Sequence, residues 1–181
     1  MADELIDLLD ENDLPTGKSI SKYESHSQEL WHLTINAMIF TPKGEVLIQK
    51  RVGGHKVYPN TWDLSVGGHV GFGHSPIDVV IKEAKEEVGI DLVKDIIKFI
   101  CISKDSLDFV DNLKHNEVCH VFICKLDKIP TVKLLDGEVS ETKIILLSAL
   151  ENDLLDKKKS KNYLPHKHWP QIIEALKKEL N

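Results

Sequence analysis

The stretch from Ser75 to Gly89 constrains this chain more than any other. Ser75 is an N-cap residue type, Pro76 suits the first helical position and Gly89 is a helix stop, while Ile77, Val80, Ile81, Ala84 and Val88 recur at helical spacing between them. The pattern predicts one amphipathic helix, set among segments that read as strands. Those are residues 5–9, 33–40, 45–51, 62–66, 96–103, 118–125 and 143–147, with Thr41-Pro42-Lys43-Gly44 as a tight turn joining 33–40 to 45–51 in a hairpin. A short helix opens at 148–151 and a terminal one spans 170–180. Strands with interspersed helices and no regular βαβ repeat predict an α+β chain, a mixed α/β sandwich rather than a doubly wound parallel sheet.

The chain has 181 residues, which suits a single domain, and no internal repeat or long low-complexity linker divides it. Its 29 acids outnumber 23 bases, giving −6, and this argues against bulk nucleic acid and anionic membrane surfaces as partners. The N-terminal MADELIDLLDENDL is acidic where a signal peptide needs basic and apolar residues, so a cytosolic chain is expected. Cys101, Cys119 and Cys124 are odd in number and lack C-x-x-C spacing, so they read as free or buried thiols. The lysines around 157–161 read as a solvated loop.

The chemistry sits on the predicted helix. Residues advance ~100° each, so Glu83, Glu86 and Glu87 share one stripe about a third of a turn from the apolar face. Three hard oxygen donors at that spacing suit Mg²⁺ or Mn²⁺, and a bound cation removes their mutual repulsion. The plain alternative is a solvated acidic face flanked by Lys82 and Lys85. Gly67-Gly68 just upstream favours the first reading, because a double glycine lets backbone approach a ligand closely.

The segment from Gly68 to Ile90 resembles the Nudix box: Gly, five residues, Glu, seven residues, Arg-Glu, an aliphatic or small residue, any residue, Glu-Glu, any residue, Gly, aliphatic. The spacing agrees throughout, with two departures. His74 stands where the first Glu is expected and Lys82 where Arg is expected, a pair that braces the loop-helix junction in the family. The resemblance implies a Nudix-type α/β/α sandwich over residues 1–181, with 68–90 as the box and 1–32 as an N-terminal β-extension. It further implies that the Gly67 carbonyl and Glu83, Glu86 and Glu87 hold Mg²⁺, with Glu86 or Glu83 helping to activate water. His74 is then either a ligand or a local cap.

A second resemblance is narrower. Lys22 to His26, His32, Arg51, Lys56, Trp62 to His69 and Asn116 to Cys119 are similar to the isopentenyl-diphosphate isomerase branch of the superfamily. That likeness implies Lys22, Arg51 and Lys56 as diphosphate contacts and His26, His32, His69 and Glu117 as a second metal cluster, with His115 where that branch carries another carboxylate. The branch needs a cysteine acid/base just before its Gly-His pair, and Gly67 stands there. The blander accounts put His26 and His32 at a surface and strand edge, Arg51 and Lys56 at a solubilised hairpin end, and Trp62 in the core. The expected function is a hydrolase of a small diphosphate linked to another moiety, acting through metal-activated water. An isomerase-like enzyme and a nucleotide-binding module that has lost turnover are the alternatives, and residues 5–32 either join a dimer or lid the cleft.

Overall fold

The computed structural model describes residues 4–55, 58–108, 114–135 and 137–181, with the backbone alone at 107 and 108. Its elements are β1 (Leu5–Leu9), β2 (Pro15–Ser21), α1 (Lys22–Ser27), β3 (His32–Phe40), β4 (Glu45–Arg51), β5 (Trp62–Asp63), β6 (Val66–His69), α2 (Pro76–Val88), β7 (Ile97–Asp108), β8 (Lys114–Lys125), β9 (Val139–Leu146), α3 (Leu147–Leu155) and α4 (Trp169–Leu180).

Strand β3 organises the molecule. All nine of its residues are buried, a run that only a central strand covered on both faces can satisfy. It lies in a seven-stranded mixed sheet whose main path is β5-β4-β3-β8-β7, with β6 also pairing to β3 and β9 to β4. The β3–β8 ladder is parallel and the others are antiparallel. The predicted 33–40 to 45–51 hairpin forms, but its arms pair only at Phe40 and Val46. Beyond that point β4 takes β9 and β3 takes β6 and β8, because β3 must fill both of its edges inside the core.

Two apolar clusters cover the two faces of this sheet. One joins Leu33, Ile35, Ala37 and Ile39 to Val80, Ala84 and Val88 of α2, and the other joins Met38, Phe40, Val46 and Ile48 to Leu147 and Leu150 of α3 and Ile172 and Leu176 of α4. This is the predicted α/β/α sandwich. Helix α2 has its expected ends: Ser75 Oγ accepts from the Asp78 amide, and Gly89 adopts φ 68°, a left-handed conformation that favours glycine. Trp62 belongs to the core, and the cysteines are free thiols, two of them buried.

The N-terminal extension contains a strand and a helix beyond the predicted 5–9 strand. β2 pairs with β1 as a separate two-stranded sheet, and α1 follows directly. The extension packs on its own chain: Phe72 N–H donates to the Leu5 carbonyl, Gly73 N–H donates to Asp7, and Ile6 is fully buried. Among the described residues no helix is long and apolar enough to cross a membrane.

Candidate active site and metal centre

Helix α2 lies across β6, and this contact separates the three glutamates that helical spacing placed on one stripe. Glu87 is 5% exposed; the Gly67 amide donates to its Oε2 at 3.1 Å and Gln49 Nε2 donates to both of its oxygens at 3.3 Å. Glu83 packs its stem over Gly68, where an added Cβ would come within 2.7 Å of Cγ. Glu86 points outward, with its side chain 51% exposed. The stripe therefore grades from buried to solvated, since α2 tilts its apolar flank into the core and carries Glu87 with it.

Lys82 Nζ sits 3.1 Å from Glu83 Oε1 and 3.0 Å from Glu86 Oε2. The altered brace expected between His74 and Lys82 is thus redirected: the shorter His74 stays with its own loop, its amide donating to the Gly71 carbonyl, while Lys82 turns to the carboxylates. Burial raises the Glu83 carboxyl above its ordinary range, and Lys82 opposes that rise. A half-desolvated carboxylate beside two others is a place where added positive charge is stabilising, and the all-oxygen donor set fits a Mg²⁺ or Mn²⁺ ion.

Across β6 and β3 a second group converges. His26 of α1, His32 of β3, His69 of β6 and His115 of β8 each offer a ring nitrogen, all within 4.8 Å of one another. The Nε2–Nε2 distances are 2.9 Å for His32–His115 and 3.3 Å for His26–His69 and for His69–His115. A tetrahedral ion with nitrogen ligands at ~2.0–2.1 Å sets ligand–ligand edges of about 3.3 Å, so the spacing matches a metal donor set. The His32 Nδ1–H donates to the Leu30 carbonyl at 3.0 Å, which turns Nε2 inward.

Burial above all, with Lys22 nearby, keeps the rings of His32, His69 and His115 neutral. The His32 pKa falls to about 4 and that of His115 to about 2, and that of His69 lies well below its ordinary value. Neutral nitrogens are what a metal requires. Glu117 stands at the edge of the cluster, its Oε1 3.5 Å from His115 Nε2, and burial pushes its carboxyl up to about 7.

Of the three basic residues expected to meet phosphate, Lys22 lies close enough to the histidines to lower their pKa values. Arg51 is paired with Asp63, with Nε and Nη2 at 3.0 and 2.8 Å from Oδ2, and its Nη1 lies 3.2 Å from the His55 ring. Asp63 lies on β5, which pairs with β4 and so stands beside Arg51. Lys56 lies outside the described residues.

Gly67 also has a structural reason. In the β3–β6 ladder it faces Asn36, and a Cβ there would lie 2.8 Å from Asn36 Oδ1. Gly67→Cys is therefore expected to cost about 1–3 kcal/mol through overpacking, read as a lower denaturant midpoint, with the loss reduced when Asn36→Ala is added. Burial pushes the Cys119 thiol well above the usual range, which disfavours its thiolate form.

Residues 30–167 match the NUDIX domain family, more than half of the chain. The chain belongs to the Nudix family. Curated relatives include isopentenyl-diphosphate Delta-isomerases from Shigella boydii, 30% identical over 78% of this chain and 76% of theirs, and from Salmonella heidelberg, 29% identical over 83% and 84%. DR0079 from Deinococcus radiodurans shares the Nudix fold with a TM-score of 0.68 at 18% identity, covering 96% of this chain and 99% of that one. The NUDIX domain of Shewanella oneidensis NrtR, solved with ADP ribose, superposes with a TM-score of 0.60 at 16% identity over 90% and 100% of the two chains.

Proposed function

We propose that this Nudix chain hydrolyses a small diphosphate linked to another moiety, using Mg²⁺ or Mn²⁺ held by Glu83, Glu86 and Glu87 beside the Gly67 carbonyl. The observation that carries the reading is the closeness of Glu87 to the Gly67 amide and of Glu83 to Gly68, with a glycine at residue 67 where the isomerase branch needs a cysteine. Moving a double bond requires a proton donor on one face and an acceptor on the other, and glycine supplies neither. When bound, the ion would neutralise diphosphate charge and lower the pKa of its water.

The chain's own groups do the rest. Glu86, solvated and next to Lys82, takes the proton of the attacking water, with Glu83 as the neighbouring candidate. Lys22 and Lys56 supply positive charge for the anion against the overall −6. Arg51 contributes to that field through an edge already fixed by Asp63.

The second reading, an isomerase-like enzyme, is favoured by the converging histidines and by relatives at 30% identity that carry that name. One panel separates the readings. Nucleoside diphosphate derivatives, nucleotide sugars and isopentenyl diphosphate, each with Mg²⁺ or Mn²⁺, are expected to show anhydride cleavage, read as orthophosphate or as the two monophosphate esters, for at least one compound and no allylic isomer. Formation of the isomer without anhydride cleavage selects the second reading. Binding without turnover of any compound selects the nucleotide-binding module.

A further inference from the structure

A third set of donor atoms is buried where the segment before α4 meets the sheet. Asp105 of β7, His166 and His168 each offer a ligand atom, and these lie within 4.8 Å of one another. All three residues are buried, with His166 and His168 only 7% and 1% exposed. Neither residue 166 nor 168 belongs to the Nudix box or to the four-histidine cluster.

The two rings are oriented from behind. His166 Nε2 lies 2.7 Å from Asp63 Oδ1, so the ring gives that proton to the carboxylate and keeps a lone pair on Nδ1. Asp63 is itself fixed by Arg51 and by the Leu64 amide, which donates to it at 2.7 Å. A carboxylate behind a histidine is the arrangement that sets tautomer and aim in metal-ligating imidazoles. His168 Nε2 lies 3.3 Å from the Asn36 amide, and its Nδ1 faces Asp105 Oδ2 at 4.0 Å. Ligation through Nδ1 puts the His168 proton on Nε2, and a half-turn of the Asn36 amide then offers its oxygen to that proton.

The Nδ1 atoms of both His166 and His168 have no hydrogen-bond partner although they are buried. Buried polar atoms are nearly always paired, so two unpartnered imidazole nitrogens beside a carboxylate call for a shared ligand. Asp105 is steadied by Ser103 Oγ at 3.2 Å and by Lys167 Nζ at 2.9 Å. Lys167 is itself exposed, so its side chain can swing aside to open a path from solvent.

We propose that Asp105, His166 and His168 form a site for a divalent first-row transition ion, with two imidazoles and one carboxylate as protein ligands. That donor set suits zinc, iron(II) or cobalt(II) and leaves coordination positions open for water or a substrate oxygen. The site neighbours the four-histidine cluster through Glu117, which pairs with Asp105 in the β7–β8 ladder and lies 3.5 Å from His115. The inference does not rest on the hydrolase reading, because it concerns metal occupancy and not turnover.

The test is a Co²⁺ titration of chelator-treated, full-length protein in excess Mg²⁺, with bound metal counted after gel filtration and coordination read from the visible Co²⁺ bands. The double variant His69→Gln/His115→Gln removes half of the four-histidine donors and is expected to retain one tightly bound Co²⁺ with a visible spectrum. Adding His168→Gln is expected to abolish that ion and its bands, and Asp105→Asn gives the same readout if the histidine variant does not fold. Asp63→Asn, which leaves the ligands in place, is expected to weaken Co²⁺ binding by roughly 10–100-fold. A double variant that binds no Co²⁺, or one whose bound ion and spectrum survive both His168→Gln and Asp105→Asn, overturns the proposal.

Discussion

Glu86→Gln is expected to lower Mg²⁺-dependent phosphate release by about 10²–10⁴-fold, the range for loss of a positioned proton acceptor. Its stability should stay within about 0.5 kcal/mol of the parent, as for an exposed position away from packing. The contrast follows from geometry. The Glu86 side chain is half solvated and pairs with Lys82, which keeps Glu83 as its other partner after the substitution. Glu87→Gln is less informative, because that residue is buried and accepts from Gly67 and Gln49, so activity and folding would fall together. Initial rates on the best compound of the panel, with a thermal melt of the same preparation, decide the matter. Full activity in Glu86→Gln would leave the acidic stripe a solvated face and remove the hydrolase mechanism.

The second large effect concerns the histidines at residues 26, 32, 69 and 115. If these hold a transition metal, ligand at 100 times its Kd stabilises the fold by about 2.7 kcal/mol. For a chain of this length that corresponds to a melting shift of about 5–10 °C between saturating Zn²⁺ and excess chelator. The His69→Gln/His115→Gln variant should lose most of this shift while keeping whatever the Asp105 site contributes. An identical melt in both conditions for the parent protein would show that the four rings are only a packed, neutral cluster.

Much of the architecture was legible because its signals are local. Helix α2 carries its caps and stop in sequence, and β3 and β4 are apolar runs divided by a Pro-Lys-Gly turn. The extension was harder. Pro15 to Ser21 has no apolar alternation and becomes a strand through pairing with β1, where Asp7 faces Ser19, and α1 is a six-residue helix too short to show a period.

At the site, the glutamates and three of the histidines could be named from motif resemblance, with His115 marked at a carboxylate position. Their unequal burial could not, since the tilt that buries Glu87 and frees Glu86 is set by packing of α2 on β6. Arg51 illustrates the same limit: its pairing with the buried Asp63 follows from the β4–β5 ladder, which the sequence does not announce. Asp105, His166 and His168 carried no motif at all. The one available hint was the His-Lys-His run before Trp169, whose partner lies far back in the chain.

The parallel pairing of β3 with β8 has a consequence for biosynthesis. Strand β3 leaves the ribosome as an uninterrupted apolar segment, yet the neighbour that covers its second edge begins only at residue 114, with His32 finally opposite Glu117. At ~5–20 residues per second that strand waits several seconds for its mate, exposed to off-pathway association in the interval. The four clustered histidines, drawn from residues 26, 32, 69 and 115, meet only after that closure, so the cluster is absent from the nascent chain until β8 is in place.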